Sequence, residues 1–267
     1  MRKGDTGSEV KDLQRLLGTV GLPLILDGWY GETTEAAVKA FQQRVGLVTD
    51  GIAGPKTLQL LRTRDKDPRL LTQAALEKAA SRLGVQVAAV MSVNEVESLG
   101  QGFLDDGRPV ILYERHVMAE RLEARGIDPA PWIERYPALI NSKRGGYAGG
   151  AAEYARLASA KSINQEAALE SCSWGQFQIM GYHWKDLGYD SIEAFVDAMQ
   201  RSENDQLEAF TRFIEADPAL LKALKGRKWA DFARIYNGSA YKENLYDVKL
   251  ARAYERHSPQ APEQEAA

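Results

Sequence analysis

One glutamate, Glu97, stands where an ionisable side chain is unexpected. It closes an apolar stretch, VAAVMSVNEVE, and Ser98 and Gly100 follow at once. A carboxyl walled by Val93 and Val96 is desolvated, which disfavours its charged form and raises its pKa. A carboxylic acid that stays protonated near neutral pH can donate a proton to the leaving oxygen of a glycosidic bond. The sequence therefore predicts a general acid at Glu97, with Ser98 orienting nearby groups and Gly100 turning the chain out of the helix.

Taken alone, ESLG is also typical of an ordinary helix terminus. Two later segments add weight to the chemical interpretation. SWGQFQIMG (173–181) places Gln176 and Gln178 among apolar residues, and ARIYNG (233–238) ends a helix with Tyr236 and Asn237. The first is also compatible with a strand, and the second with a helix C-cap at Gly238.

A second carboxylate would be needed if water is the nucleophile. An inverting glycosidase holds its base about 6.5–9.5 Å from the acid. The candidates are Asp105 and Asp106, in the turn FLDDGRP, and Glu114, in LYERH. We favour Glu114, because RPVILYERH (108–116) reads as a strand and a strand directs its side chains better than a loop. Glu114 could instead pair with Arg115 or Arg121.

The rest of the chain from about residue 70 is predicted to be mainly helical. LLTQAALEKAASRL, NDQLEAFTRFIEADP (204–218) and KWADFARIYNG (228–238) carry apolar residues at helical spacing. A charged stretch with Pro68, RTRDKDPR (62–69), suits an exposed linker. The last ten residues, 258–267, have no core-forming side chains and are predicted to be disordered.

The first 62 residues contain an internal repeat. DGWYGETT (27–34) and DGIAGPKT (50–57) share D-G-x-x-G-x-x-T at a spacing of 23 residues. Each copy predicts a glycine-containing turn followed by a threonine able to cap the next helix. Trp29 and Tyr30 are placed at a loop tip, where aromatic rings suit the apolar faces of sugars and peptides.

The ordered elements GDTGSEVKDLQRLL, DGWYGETT, AVKAFQ and DGIAGPKT resemble the peptidoglycan-binding domain of bacterial and phage wall hydrolases. The resemblance implies a three-helix module over residues 1–62 that docks on the bacterial wall. Asp27, Trp29 and Tyr30 are its expected contacts with the wall.

In this order, Glu97-Ser98-Leu99-Gly100, then GQFQI (175–179), then IYNG (235–238) resemble the lysozyme superfamily, in particular goose-type lysozymes and soluble lytic transglycosylases. GRPVILYERH and SWGQFQIMG also resemble the N-acetylmuramidase domain of modular phage endolysins, over residues 70–257. The implied fold is an α-rich, lysozyme-like α+β domain with a small β element, after a linker at 63–69.

The resemblance implies Glu97 as the general acid. It places Gln178, Tyr236 and Asn237 along the sugar cleft, with Gln176 as a weaker candidate. The implied activity is cleavage of the β-1,4 bond between N-acetylmuramic acid and N-acetylglucosamine, leading to host cell lysis. A lytic transglycosylase with anhydro products is the alternative. Gln176, Phe177 and Ile235 replace the common leucine, methionine and alanine, which leaves substrate preference open.

Composition agrees with a globular protein and predicts few other partners. Hydrophobic residues make up 44% of the 267 residues, and the net charge is −3. Such a charge does not predict nucleic-acid binding, and no apolar run predicts membrane insertion. The expected partner is the peptidoglycan glycan strand, the expected state a monomer, and no cofactor or metal is implied. MRKGDTGSEVKDL lacks an apolar signal region, so we expect synthesis in a cytoplasm. The resemblance to phage endolysins implies storage in an infected cytoplasm and action on the periplasmic wall after a holin opens the membrane.

Three rival functions remain possible from the sequence. A zinc amidase or peptidase needs clustered ligands, but His116, His183 and His257 are far apart along the chain. A cysteine peptidase would use Cys172, which is predicted to be buried and inert. The third rival is a wall-binding protein without catalysis.

Overall fold

A computed structural model describes residues 1–98 and 100–258. Leu99 of the ESLG segment lies outside the described residues, as does the predicted disordered tail apart from Ser258. Within the described residues the fold is mainly α, with fourteen α-helices and one three-stranded sheet. The prediction of a small helical domain followed by an α-rich domain with a small β element is confirmed.

The N-terminal domain is built from three helices around its own core. Leu13, Leu17, Val38, Phe41 and Leu61 are among its buried side chains. The helices are α1 (Ser8–Thr19), α2 (Glu32–Val45) and α3 (Pro55–Thr63).

The sequence repeat corresponds to a repeated hydrogen-bond arrangement. Gln14 Nε2 donates to Asp27 Oδ1 at 2.7 Å and to the Thr34 hydroxyl at 3.2 Å, while Gln14 Oε1 accepts from the Gly28 N–H at 3.0 Å. Gln42 makes the same set of contacts with the second copy, to Asp50, Thr57 and Gly51. In each copy of the repeat, a buried glutamine on the preceding helix therefore binds the turn through its side-chain amide.

The predicted helix caps in these turns are wrong. Gly31 and Gly54, not the threonines, are the N-cap residues of α2 and α3, and neither helix has a side-chain cap. Thr34 and Thr57 lie inside the helices, and their hydroxyls take part in the two glutamine networks. Local sequence favoured a cap, but the buried glutamines compete for the same hydroxyls.

The second domain surrounds a larger apolar core. The helices predicted within 70–83, 204–218 and 228–238 are all present there. The helices are α4 (Gln73–Leu83), α5 (Val87–Glu97), α6 (Arg115–Glu123), α7 (Ala130–Arg135), α8 (Glu153–Lys161), α9 (Gln165–Glu170), α10 (Ile192–Arg201), α11 (Glu203–Ala216), α12 (Pro218–Lys225), α13 (Trp229–Asn237) and α14 (Tyr246–His257). Helix α5 packs most extensively against α14, so its buried position is set by the last helix within the described residues.

The sheet is short and antiparallel, with strand order β1-β2-β3. Its strands are β1 (Ile111–Tyr113), β2 (Cys172–Trp174) and β3 (Ile179–Met180). Ile111 pairs with Trp174, and Trp174 with Ile179. The predicted strand at 108–116 is right only at its centre, because helix α6 begins at Arg115.

The two domains are joined by contacts as well as by the 63–69 segment. Lys56 Nζ, at the start of α3, lies 2.7 Å from both carboxylate oxygens of Glu203, at the start of α11. Glu203 is 1% exposed and also accepts the Leu71 and Gly102 N–H groups at 2.7 and 2.8 Å. The Lys56 ammonium of the first domain thus neutralises the buried Glu203 carboxylate of the second domain.

Candidate active site

Glu97 is the last residue of α5, as its position after an apolar stretch predicted. Ala88 to Val93 are buried, and Glu97 is half-buried where the helix ends. Ser98 is the C-cap residue, and its hydroxyl accepts the Gly100 N–H at 3.2 Å. Gly100 has φ +77, a left-handed conformation that suits glycine, so the chain leaves the helix sharply here.

The environment of Glu97 favours its protonated form. Burial raises the pKa of Glu97 from 4.5 to about 7, although a hydrogen bond from Asn237 and the charge of Lys249 act in the opposite direction. Desolvation is therefore the dominant effect. A carboxyl with this pKa is protonated in much of the population near neutral pH, as a general acid requires.

The segment that ends α13 lies directly beside this carboxyl. Asn237 Nδ2 donates to Glu97 Oε1 at 2.9 Å, which fixes the orientation of the acid. Tyr236 donates its hydroxyl to the Phe177 carbonyl at 3.0 Å. The Tyr236 ring packs edge-on against Phe210, which itself stacks on Phe177 at 4.5 Å between centroids. Glu97, 235–238 and the 173–181 hairpin thus form one contiguous site.

Gln178 stabilises the turn of the 173–181 hairpin. Its backbone has φ +51, a strained conformation for a residue with a side chain. Its Oε1 accepts from the Ser173 hydroxyl at 2.6 Å, and its Nε2 donates to the Gly175 carbonyl at 2.8 Å. Its amide is engaged in holding the turn, so its assignment as a sugar contact stays a prediction.

Gln176 lies in the interior, at the boundary between the two domains. It is 1% exposed and lines a cavity between the two domains together with Ser98 and Gly100. Its backbone N–H donates to Gln206 Oε1 at 2.8 Å. The assignment of Gln176 as a sugar contact stays a prediction.

Glu114, the preferred second carboxylate, is not in a strand. It is the N-cap residue of α6, one residue beyond β1, because its backbone leaves the sheet after Tyr113. Its carboxylate accepts the Tyr147 hydroxyl at 2.9 and 3.1 Å. His116 Nδ1 lies 3.2 Å away without hydrogen-bond geometry. The hydrogen-bond donor to Glu114 is therefore Tyr147, and not Arg115 or Arg121 as the sequence suggested.

The loop that carries Tyr147 is held by a buried acid that sequence analysis missed. Glu153 is 0% exposed and accepts the N–H groups of Ala148 and Gly149 at 2.6 and 2.9 Å. Arg156 pairs with it at 2.7 Å. A glutamate three residues before an arginine on a helix that packs on the core was the available signal.

The two aspartates of the FLDDGRP turn differ from Glu114 in their surroundings. Asp106 binds its own neighbour, Arg108, at 2.6 Å, which holds the pKa of Asp106 below its usual value. Asp105 is exposed in the same turn. Both fit the solvated turn residues that the sequence suggested as their ordinary role.

Two residues of α11 that sequence reasoning missed support the site. Gln206, like Glu203, is 1% exposed, and its side chain bonds Gln176 N–H and the Gly102 carbonyl. Gly102 follows the acid in sequence, so α11 anchors both the segment after Glu97 and the hairpin. Polar residues three apart beside the apolar Leu207 and Phe210 were the signal that could have revealed them.

The predicted wall contacts of the first domain separate into different roles. Trp29 is 59% exposed, whereas Tyr30 is 0% exposed and donates its hydroxyl to the Gly51 carbonyl at 2.7 Å. Asp27 Oδ1 accepts the Trp29 N–H at 2.8 Å in addition to the Gln14 amide. The placement of Tyr30 at an exposed loop tip is wrong, because its ring fills the domain core.

The cysteine and histidines that the rival mechanisms would use lie in surroundings that do not suit those mechanisms. Cys172 is buried in β2, and burial raises its thiol pKa well above the usual value. His183 packs against Phe213, and His257 Nε2 lies 2.8 Å from Glu95. In the described part of the chain, no group of three or more His, Cys, Asp or Glu side chains could hold a metal ion.

Two known families match this chain. Residues 86–258 match the N-acetylmuramidase family, and residues 6–61 match the putative peptidoglycan binding domain. The first match covers more than half of the chain and contains Glu97, Glu114 and Asn237.

A solved structure of a phage protein resembles the whole chain. The crystal structure of Burkholderia AP3 phage endolysin is 60% identical, covers 96% of this chain and 98% of its own, and has a TM-score of 0.93. The likeness therefore extends over both domains and their arrangement.

Curated relatives match shorter parts. The zinc D-Ala-D-Ala carboxypeptidase of Streptomyces albus G is 39% identical over 87 residues, which is 30% of this chain and 34% of that protein. The N-acetylmuramoyl-L-alanine amidase CwlL of Bacillus licheniformis is 44% identical over 64 residues, 23% of this chain and 18% of that protein. The chain thus spans about a third or less of the length of the curated relatives it matches.

Proposed function

Because this chain belongs to the N-acetylmuramidase family, a family of glycoside hydrolases, and carries a peptidoglycan-binding domain in front, we propose that it is an endolysin that cleaves the β-1,4 bond between N-acetylmuramic acid and N-acetylglucosamine. Its substrate partner is peptidoglycan. The observation that best supports this function is the desolvated carboxyl of Glu97. Its pKa is about 7, and a hydrogen bond from Asn237 orients it.

In the proposed mechanism Glu97 protonates the oxygen between the two sugars. The bond from that oxygen to the anomeric carbon breaks, and positive charge develops on the muramic acid ring. Asn237 holds the Glu97 carboxyl in place and stabilises the carboxylate that remains after proton transfer. The Tyr236 hydroxyl is bound to the hairpin, so this ring forms a rigid wall of the site.

Glu114 is the proposed base that activates water. Its carboxylate is 13% exposed and oriented by the Tyr147 hydroxyl, so it has a fixed direction. We expect Glu114→Gln to lower the rate of hydrolysis by about 100-fold or more, because general bases typically contribute that factor. Hydrolysis at the parent rate by this variant would exclude Glu114 as the base.

Product analysis tests the bond and the reaction together. Sacculi are digested with the parent chain and with Glu97→Gln, and the released muropeptides are analysed by mass spectrometry. We expect reducing muramic acid ends from the parent and no release by the variant. Anhydro ends would favour the alternative, a lytic transglycosylase in which the sugar's own hydroxyl attacks, and reducing glucosamine ends would contradict the proposed bond.

The route to the wall is a further part of the proposal. Among the described residues, no helix combines the length and apolar character needed to cross a membrane. We propose synthesis in an infected cytoplasm and access to the wall through a holin, supported by the likeness to a phage endolysin. Lysis should then depend on co-expression of a holin, and lysis at the same time without one would contradict this route.

A further inference from the structure

Helix α11 begins at a buried carboxylate that binds three separate parts of the chain. Glu203 is 1% exposed, and each of its two oxygens lies 2.7 Å from Lys56 Nζ of the first domain. One oxygen also accepts the Gly102 N–H at 2.8 Å, and the other accepts the Leu71 N–H at 2.7 Å. Within the described residues, Lys56 is the one cation that forms an ion pair with this carboxylate. The charge that neutralises Glu203 therefore comes from the first domain.

Gly102, one of the three partners of this carboxylate, follows the catalytic acid by five residues. Its backbone lies directly on α11, because a Cβ atom added at this position would lie 2.8 Å from Glu203 Cγ and closer still to Gln206 Oε1. The Gly102 carbonyl also accepts from Gln206 Nε2 at 3.3 Å. Glu203 and Gln206 thus fix the position of the chain just after Glu97.

Hydrogen bonds continue from Gly102 to the other side of the active site. The Gly102 carbonyl accepts the Val110 N–H at 2.9 Å, and the Val110 carbonyl accepts the Gly175 N–H of the hairpin at 2.8 Å. The Phe177 carbonyl of the same hairpin accepts the Tyr236 hydroxyl at 3.0 Å. The residue that follows Tyr236 carries the amide that orients the acid. One connected set of contacts therefore runs from Gly102 to the group that orients the acid.

The linker binds the same segment at a second place. Arg69 Nη1 donates to the Gly107 carbonyl at 2.9 Å, and the guanidinium lies 4.6 Å from the centroid of the Phe103 ring. The Arg69 carbonyl accepts the Glu203 N–H at 2.8 Å, which joins the linker to the start of α11. The segment after the acid, residues 102–107, is therefore held by both the first domain and the linker.

We propose that Lys56 and Arg69 are positioning residues for bond cleavage. They hold residues 102–107 in place, and with this segment the acid and the hairpin beside it. Neither side chain needs to touch the substrate for this role. The inference rests on the proposed function, and it makes the docked first domain a part of the catalytic apparatus as well as a means of attachment to the wall.

Loss of either contact has a defined effect on the acid. Without the Lys56 ammonium, the buried Glu203 carboxylate is uncompensated, so the start of α11 rearranges or admits water. Without the Arg69 guanidinium, the segment after the acid loses its contact with the linker. Water that enters beside the loosened segment reduces the desolvation of Glu97, which is the main cause of its raised pKa. The rate also falls, because a displacement of about 1 Å near the reacting atoms can cost about 100-fold.

Kinetics of the full chain on a soluble glycan test these roles, because such a substrate removes the contribution of wall attachment. The variants are Lys56→Met and Arg69→Met, which remove each cation and keep an unbranched side chain. Lys3→Met is the matched control, since Lys3 pairs with Glu32 at 3.0 Å inside the first domain. The values of kcat, KM and kcat/KM are measured from pH 5 to 9, at a temperature at which circular dichroism shows every chain to be folded.

We expect kcat of both variants to fall about tenfold with KM little changed, and kcat/KM to fall with rising pH from a lower pH than in the parent and the control. A smaller folded fraction lowers the rate without moving this pH profile. A lowered kcat with the parental pH profile would therefore overturn the proposal, as would a parental kcat in both folded variants. If Lys56→Met does not fold, Arg69→Met decides by the same criteria.

Failure of this inference is distinguishable from failure of the proposed function. Release of reducing muropeptides by the parent chain is measured separately. A parent that releases none contradicts the proposed function, whereas an active parent whose two variants behave like it contradicts the positioning roles alone.

Discussion

At the residue scale, one carboxyl combines two opposing influences. Burial at the end of α5 raises the pKa of Glu97, while the Asn237 amide and the Lys249 charge favour the ionised form. The balance leaves Glu97 protonated up to about pH 7, which suits its proposed role as the proton donor to the substrate. A general acid works best with a pKa near the working pH, so the competing contacts tune the acid and do not simply neutralise it.

The pH dependence of activity follows from this balance. Since Glu97 must be protonated, we expect kcat/KM to fall as the pH rises through about 7. Asn237→Leu removes a donor that favours the carboxylate, so the pKa of Glu97 rises and the fall moves to higher pH. Lys249→Met should move it in the same direction. The measurement is kcat/KM on a soluble glycan from pH 5 to 9, and a fall that moves to lower pH in both variants would contradict the assignment.

The same raised pKa predicts that the stability of the folded chain, like the activity, falls as the pH rises. A folded-state pKa of about 7, above the ordinary 4.5, means that the folded chain binds more protons than the unfolded chain between these values. Stability that Glu97 contributes is present below pH 4.5 and is lost as the pH rises through about 7. Glu97→Gln avoids this loss, so the inactive variant should be more stable than the parent above pH 7, by about 2–3 kcal/mol.

Thermal melting at pH 5 and pH 8 checks this stability prediction. The gain of Glu97→Gln over the parent should be larger at pH 8. Glu9→Gln, at an exposed position of the first domain, serves as the control and should melt like the parent at both values. A gain of the same size at both pH values would show that ionisation of Glu97 is not its source.

At the element scale, α11 connects parts of the site that are distant in sequence. Glu203 binds the Leu71 and Gly102 N–H groups, and Gln206 binds the hairpin at Gln176. These two side chains are neighbours on the first turn of α11. Helix α11 therefore sets the spacing between the segment after the acid and the hairpin beneath Tyr236.

Lys56 adds the first domain to this arrangement. Lys56→Met leaves the buried Glu203 carboxylate without its cation, and we expect a loss of about 2–4 kcal/mol in the free energy of unfolding. Lys3→Met is the matched control, since the Lys3–Glu32 pair is solvent-exposed and contributes little. Denaturant unfolding compares the two variants, and equal midpoints would show that the buried pair has no stabilising role.

At the scale of the whole molecule, wall attachment and bond cleavage belong to different domains. Trp29 is exposed in the first domain, far along the chain from Glu97, and aromatic rings suit the apolar faces of sugars and peptides. The buried Tyr30 and the engaged Asp27 position the turn that presents this ring. Of the three predicted wall contacts, Trp29 and Asp27 are exposed and stay candidates for direct contact with the wall, whereas Tyr30 is buried.

Trp29→Ala tests this division of roles. Co-sedimentation with sacculi should weaken about tenfold, since a large exposed aromatic contact is typically worth more than 1 kcal/mol when truncated. Cleavage of a soluble glycan should stay at the parent rate, because Glu97 and its partners are untouched. Tyr136→Ala, which removes an exposed aromatic of the second domain, is the control for sedimentation. Unchanged sedimentation of Trp29→Ala would exclude the ring as a wall contact.

Local patterns in the sequence determined the helical class, the positions of α4, α11 and α13, and the burial of the acid at the end of α5. Helical periodicity and the end of an apolar run are short-range properties, so one chain is enough to read them. The strand was predicted too long at Glu114, whose carboxylate binds Tyr147 in a distant loop. The helix cap was predicted wrongly at Thr34, whose hydroxyl binds Gln14 on another helix.

Only the tertiary structure decided which groups surround the acid and how the two domains meet. Asn237 meets Glu97 from 140 residues away along the chain, and Lys56 meets Glu203 across the domain boundary. Desolvation and hydrogen bonding depend on every element that packs around a group, and those elements come together only on folding. For the same reason the cavity between the two domains, which residues of both domains line, has no signature in the sequence.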